Sequence, residues 1–208
     1  MKKTKQPPKS LICWPPLWWT HLCWILGLLT LIILEPSQTK TAAANDPASQ
    51  TKTITLIEKD GTRLPIGTLT LTKNAKGHAI NVTMDDSKYG EFFLNMAPFK
   101  CIEGSIMYCH LPYPYKTHKT ITATDLMDLE YELLFVKKLA SDYGIDFWHG
   151  VYYRLKQTPD GAFIGKVYET DMNELMAPPE KDYDRPIGGA DLSEAGIGQH
   201  RFPKIEIK

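Results

Sequence analysis

The sequence has few cysteines, four in 208 residues, and no surplus of either charge, with 24 basic and 24 acidic side chains. It has no Gly-x-Ser-x-Gly nucleophile elbow, no phosphate-binding P-loop and no Gly-x-Gly-x-x-Gly dinucleotide fingerprint. Those absences leave the commonest hydrolase, nucleotide and dehydrogenase chemistries without support. No basic patch supports a nucleic-acid partner, because binding a phosphate backbone needs clustered lysine and arginine. No internal repeat is present, and no His/Cys spacing matches a metal motif, so no cofactor or metal is expected.

The N-terminus is different in kind. Lys2, Lys3, Lys5 and Lys9 precede an apolar stretch from Leu11 to Leu34, whose uninterrupted part, Leu22 to Leu34, is 13 residues long. That length fits the core of a signal peptide and falls short of the roughly 20 residues a membrane span needs. Ala42 and Ala44 satisfy the small-x-small rule, so cleavage after Ala44 is expected. The alternative is an uncleaved anchor over residues 11–34, which is then the only membrane contact. Both place the rest of the chain outside the cytoplasm, because lysines hold the N-terminus inside. The first 44 residues hold five of the basic residues and one of the acidic ones; residues 45–208 therefore carry 19 and 23, a net charge of −4. One domain's worth of chain remains.

Residues 45–52 are small and polar and read as a flexible linker. From Thr53 to Leu175 period-2 patterns dominate. Ile54 and Leu56, Leu69 and Leu71, and Ile80 and Val82 each fall on one face of a strand. Lys59-Asp60-Gly61 and Thr158-Pro159-Asp160-Gly161 are hairpin turns, since glycine supplies the positive φ after aspartate. Thr122–Ala140 carries two periods at once. Leu126, Leu129 and Leu133 repeat at helical spacing, whereas Leu129, Tyr131, Leu133 and Phe135 alternate. The expectation is a helical turn over 122–127, a strand through Val136, and a second short helix over 138–143. Residues 176–208, rich in proline and glycine, read as an irregular arm packed on the domain, with Ile205 and Ile207 as a last edge strand. The fold class expected is mainly β, a small antiparallel β-barrel or sandwich with one or two short helices.

Cys101 and Cys109 are the only cysteines after the leader, which predicts a disulfide in an exported protein. Next to them, Cys109-His110-Leu111-Pro112-Tyr113-Pro114-Tyr115 places His110, Tyr113 and Tyr115 on a stiff scaffold. With Trp148 these form a candidate binding rim for an unknown small molecule or envelope component, as tyrosines give rigid contact area at low entropic cost. The bland alternative is a loop packed over one end of the domain. If the chain is an enzyme, His110 or His149 must act with Glu103, Asp128 or Glu130, as a periplasmic hydrolase or lyase with a His/carboxylate pair. For His149 a hydrogen-bonded structural role is the simpler alternative; for Asp128 and Glu130 it is a solvated face opposite the leucines, or pairing with Arg154 and nearby lysines.

The run from Cys109 to Tyr115, Asp125-Leu126-Met127-Asp128-Leu129-Glu130-Tyr131, and Trp148-His149-Gly150-Val151-Tyr152-Tyr153-Arg154-Leu155 resemble a set of small exported proteobacterial proteins of unknown function. The resemblance runs over most of residues 90–187. It implies an envelope location and no mechanism. More loosely, the Trp-x-Gly-x-Tyr strand and its Asp-Gly hairpin are similar to exported lipocalin-like barrels, a likeness of fold that does not carry function.

Overall fold

The computed structural model describes residues 49–94, 96–175, 177–196 and 199–208. The expected signal or anchor segment, residues 1–44, lies outside the described residues, as do residues 45–48 of the expected linker. The rest is mainly β. Twelve strands, β1 (Ser49–Ile57), β2 (Arg63–Asn74), β3 (Gly77–Met84), β4 (Gly90–Leu94), β5 (Ala97–Ile102), β6 (Ile106–His110), β7 (Thr120–Ile121), β8 (Phe135–Leu139), β9 (Gly150–Gln157), β10 (Phe163–Thr170), β11 (Ser193–Glu194) and β12 (Lys204–Ile207), join one helix, α1 (Met127–Glu132).

All twelve strands belong to one antiparallel sheet in the order β4-β5-β6-β8-β9-β10-β12-β1-β2-β3-β7, with β11 added on β10. The expected barrel is corrected here. The two end strands, β4 and β7, do not pair, so the sheet stays open. It still serves a common core: Ile80, Ile121, Tyr108, Phe135, Tyr153 and Phe202, from distant strands and the segment before β12, fall in one buried cluster.

Local sequence explains the hairpins. Gly61 and Gly161 take φ of 89° and 80°, the left-handed region that glycine enters without steric cost. Ile54, Leu56, Leu69, Leu71 and Ile80 are buried as their alternation requires. Four expectations change. Residues 49–52 are not linker but the start of β1, where they pair with Thr72–Leu69 of β2; their polarity reports exposure rather than irregularity. The segment after Thr122 uses both its periods in succession. Thr122 Oγ1 accepts from the Asp125 amide at 3.0 Å, the helix then runs from Met127, and the strand begins only at Phe135. No helix forms over 138–143, because β8 continues to Leu139 and its Lys138 pairs with Met107 of β6. The fourth change concerns the arm, which is irregular from 177 to 192 but ends in β12. That strand is no edge: it lies between β10 and β1, with Ile205 opposite both Leu56 and Gly165. Gly165 makes room for it, since a Cβ there would stand 2.5 Å from Ile205 Cγ2 and 2.8 Å from Leu155 Cδ2.

Candidate functional site

Cys101 and Cys109 face each other across β5 and β6 with their sulfurs at bonding distance. Both are fully buried. Beside them pack Met107, Phe92, Leu94, Phe99 and Ile145.

The tyrosine-proline loop does not present the expected rim. Tyr113 is buried edge-on against Tyr131, with ring centroids 4.9 Å apart, and Tyr115 packs edge-on against Tyr113 at 5.4 Å. The Tyr113 hydroxyl donates to the Asp184 carbonyl at 3.1 Å, so the loop clasps the C-terminal arm. His110 is turned inward: its Nε2 meets the Glu132 carbonyl at 2.9 Å and its ring lies 5.3 Å from that of Phe135. Burial holds its pKa below the ordinary imidazole value, partly offset by that backbone bond. Trp148 is exposed and distinct from this packing.

The candidate acids are separated too. Asp128 is buried and accepts from the Thr120 amide at 3.2 Å and from Arg185 Nη1 at 3.3 Å. It ties α1 to β7 and to the arm. Glu130 is buried on the same helix, its Oε2 bonded by the Tyr152 hydroxyl and its Oε1 by the Leu155 amide at 2.6 Å. Burial raises its pKa despite those two bonds. Both oxygens are thus engaged in joining α1 to β9. Glu103 stands exposed in the β5–β6 turn, and His149 is exposed before β9. The proposed histidines and carboxylates do not come together as a hydrogen-bonded pair.

A histidine–carboxylate pair does exist, from residues the sequence did not single out. Tyr108 (β6), Lys137 (β8), Glu169 (β10) and His200 converge on one side of the sheet. The protons can be placed from the donors. The Arg201 amide donates to the Tyr108 oxygen at 3.1 Å, and because the ionised Glu169 beside Nε2 can only accept, the Tyr108 hydroxyl donates to His200 Nδ1 at 3.0 Å. The His200 proton therefore sits on Nε2, 2.8 Å from Glu169 Oε1, which Lys137 Nζ also bonds. Burial and the Lys137 charge lower the His200 pKa, against the pull of Glu169. Burial would raise the Glu169 pKa, but the bonds from Lys137 and His200 outweigh it and hold the carboxyl below its usual range. A cavity of about 450 Å³ is lined by Lys137, His149 and Glu169. Tyr108 and His200 are themselves buried, and both His200 nitrogens already have partners.

A second cavity, about 790 Å³, is an open groove between β4 and the loop after β8. Phe92, Phe93, Leu94, Met96, Met107 and Tyr143 are among its lining residues, with Phe92, Leu94 and Met107 in the cluster around the cysteines. Phe93 and Met96 are 77 % and 90 % exposed and Tyr143 is fully exposed. Single exposed apolar side chains are ordinary, whereas several around one concavity mark an interaction site. Sequence gave no hint of it, because the groove is made by two loops and strands brought together only in the fold. Among the described residues no group of three or more His, Cys, Asp or Glu side chains is placed to hold a metal, and no helix is long and apolar enough to cross a membrane. No family model, curated protein or solved structure matches the chain.

Proposed function

We propose that residues 45–208 form an exported, non-catalytic binding module of the cell envelope, with the groove beside β4 as its ligand-taking surface. The observation that carries this is the gathering of Phe93, Met96 and Tyr143, all strongly exposed, around a cavity also lined by Phe92, Leu94 and Met107. Export is supported by the lysine-led apolar segment and the small-x-small alanines. A disulfide-compatible cysteine pair suits an oxidising compartment. The ligand is an apolar portion of another envelope component. The rival, a hydrolase or lyase, gains a real histidine–carboxylate pair in His200 and Glu169, but that histidine is buried with both nitrogens engaged.

Two measurements test this. N-terminal sequencing of the protein from the envelope fraction should begin at Asn45; an intact Met1 end would favour the anchor. The probe 8-anilinonaphthalene-1-sulfonate should fluoresce with the folded protein and lose most of that signal in the Phe93→Asp, Tyr143→Asp double variant. Both side chains are exposed, so the fold should survive the exchange. An unchanged signal in a folded double variant would remove the groove as the binding surface.

A further inference from the structure

The phase of the hydrogen-bond ladder can be followed strand by strand to the open edge. The Lys137 amide bonds the His149 carbonyl at 3.0 Å and the Ala140 amide bonds the Ser105 carbonyl at 3.0 Å. Odd residues of β8 therefore turn their amides and carbonyls to β9, and even ones to β6. Because these directions alternate along a strand, Val136 exchanges bonds with its partner Cys109, and Cys109 then faces Cys101 as a pair without mutual bonds. Their Cα separation of 3.9 Å fits that close type of pair rather than the wider hydrogen-bonded one. Cys101 accordingly bonds across to Gly90 of β4. Pro98 gives the same phase independently. It lies opposite Phe93 and has no N–H to exchange, so the bonds between β4 and β5 run through Gly90, Phe92 and Leu94. The backbone N–H and C=O groups of Glu91 and Phe93 are left pointing out of the sheet.

Natural edges are blunted by lysine, proline, bulges or shortness. The opposite end of this sheet has the last device, since β7 is two residues long. The outward positions of β4, Glu91 and Phe93, have neither lysine nor proline, and a single charge, Glu91, is the protection they carry. The adjoining groove offers Phe92, Leu94 and Met107 to the alternate side chains of any strand laid alongside. Two carboxylates, Glu103 and Asp142, line it against one ammonium, the buried Lys138, and among the described residues neither carboxylate enters an ion pair.

We propose that β4 is a strand-addition site, binding an extended segment of a partner polypeptide through the backbone of Glu91 and Phe93, with apolar side chains at alternate positions in the groove and basic residues at its ends. This rests on the groove being the binding surface and specifies how it binds. A second copy of the chain is a poorer occupant. Pairing β4 with itself about Phe92 sets each Glu91 opposite a Phe93 and brings the carboxylates of both grooves together.

The probe is a short synthetic peptide, Lys-Val-Thr-Leu-Thr-Phe-Thr-Val-Lys, titrated into the folded protein and followed by amide hydrogen exchange. In the free protein the amides of Gly90, Phe92 and Leu94 should exchange more slowly than those of Glu91 and Phe93. Equal or reversed rates would overturn the edge phase and the proposal with it. Peptide binding should then slow Glu91 and Phe93. Phe93→Pro deletes only the outward N–H and is tolerated on an edge, whereas Phe93→Ala keeps it. Phe93→Pro should bind about tenfold more weakly than Phe93→Ala, the loss of one strand hydrogen bond. Binding without protection at Glu91 and Phe93, or equal affinity of the two variants, overturns strand addition and leaves the groove as a binding surface. No binding of the peptide, together with loss of the fluorescent-probe result, removes both. Concentration-dependent self-association that protects Glu91 and Phe93 without peptide overturns the partner in favour of a second copy.

Discussion

Removing one hydroxyl should loosen the C-terminal arm. Tyr131 on α1 is fully buried, and its oxygen serves one residue of the arm twice. It donates to the Ile187 carbonyl at 2.9 Å and accepts from the Ile187 amide at 2.8 Å. Ile187 is itself fully buried. Tyr131→Phe keeps the ring contacts with Tyr113 and Tyr152 but orphans both backbone groups. Each buried orphan costs about 1–3 kcal/mol, so holding the arm in place would cost about 2–6 kcal/mol. The arm has another way out: it can lift, forfeiting the burial of Ile187, worth about 1.5–3 kcal/mol for a full aliphatic side chain. The cheaper route sets the result, and about 2–3 kcal/mol is expected. In urea unfolding that is a fall in midpoint of about 1 M for a slope near 2 kcal/mol/M. Lifting has its own signature, faster trypsin cleavage after Lys181 in the native protein. A midpoint within about 0.3 M of the parent, with unchanged cleavage, would refute the double hydrogen bond as the fastening.

Reduction of the Cys101–Cys109 pair should lower stability by about 2.5 kcal/mol, the chain-entropy value for so short a loop; it is checked by unfolding with and without reductant, and no difference would mean the thiols are unpaired. Both sulfurs are buried, so reduction should be slow in the native state. Acid should destabilise the protein through His200 and His110, whose folded pKa values are lowered mainly by burial. Their contribution is complete above the ordinary imidazole pKa of about 6.5 and is lost as pH falls below it, because the unfolded chain then binds protons the folded one refuses. Glu130 acts in the opposite sense: its raised pKa stabilises at low pH and that share is lost as pH rises. Around His200 stand Tyr108, Lys137, Glu169 and Lys59. His200→Gln should flatten the fall in thermal midpoint between pH 7 and pH 5; curves parallel to the parent's would show that His200 does not carry it.

What could be read in the sequence was local. Asp60-Gly61 and Asp160-Gly161 announce their turns through backbone chemistry confined to a few residues, and Ile54 and Leu56 declare a buried face by alternation. The cysteines needed only a count. Between Leu126 and Phe135 two periods overlap, and neighbours rather than propensity decide where helix yields to strand. β5 was hidden because Pro98 and the short run around it break any alternation. The Tyr108–His200–Glu169–Lys137 array comes from four separate stretches of chain, and no spacing rule links them. The tyrosines left two readings open. A rigid aromatic loop suits a binding rim and a clasp equally, and only Asp184 and Tyr131, both elsewhere in the sequence, distinguish the two.

The central place of β12 bears on how such a chain is made. A polypeptide emerging N-terminus first delivers β1 early and β10 much later, yet these strands meet only through residues 204–207. Until that stretch arrives, β1 and β10 carry raw edges, and the two half-sheets are bridged only by α1, which is bonded to β7 and β9. Such contacts between distant stretches are slow to form. Export of the kind proposed, through a channel that admits an unfolded chain, would gain from that delay: the topology would postpone the committed fold until nearly all of the domain had crossed.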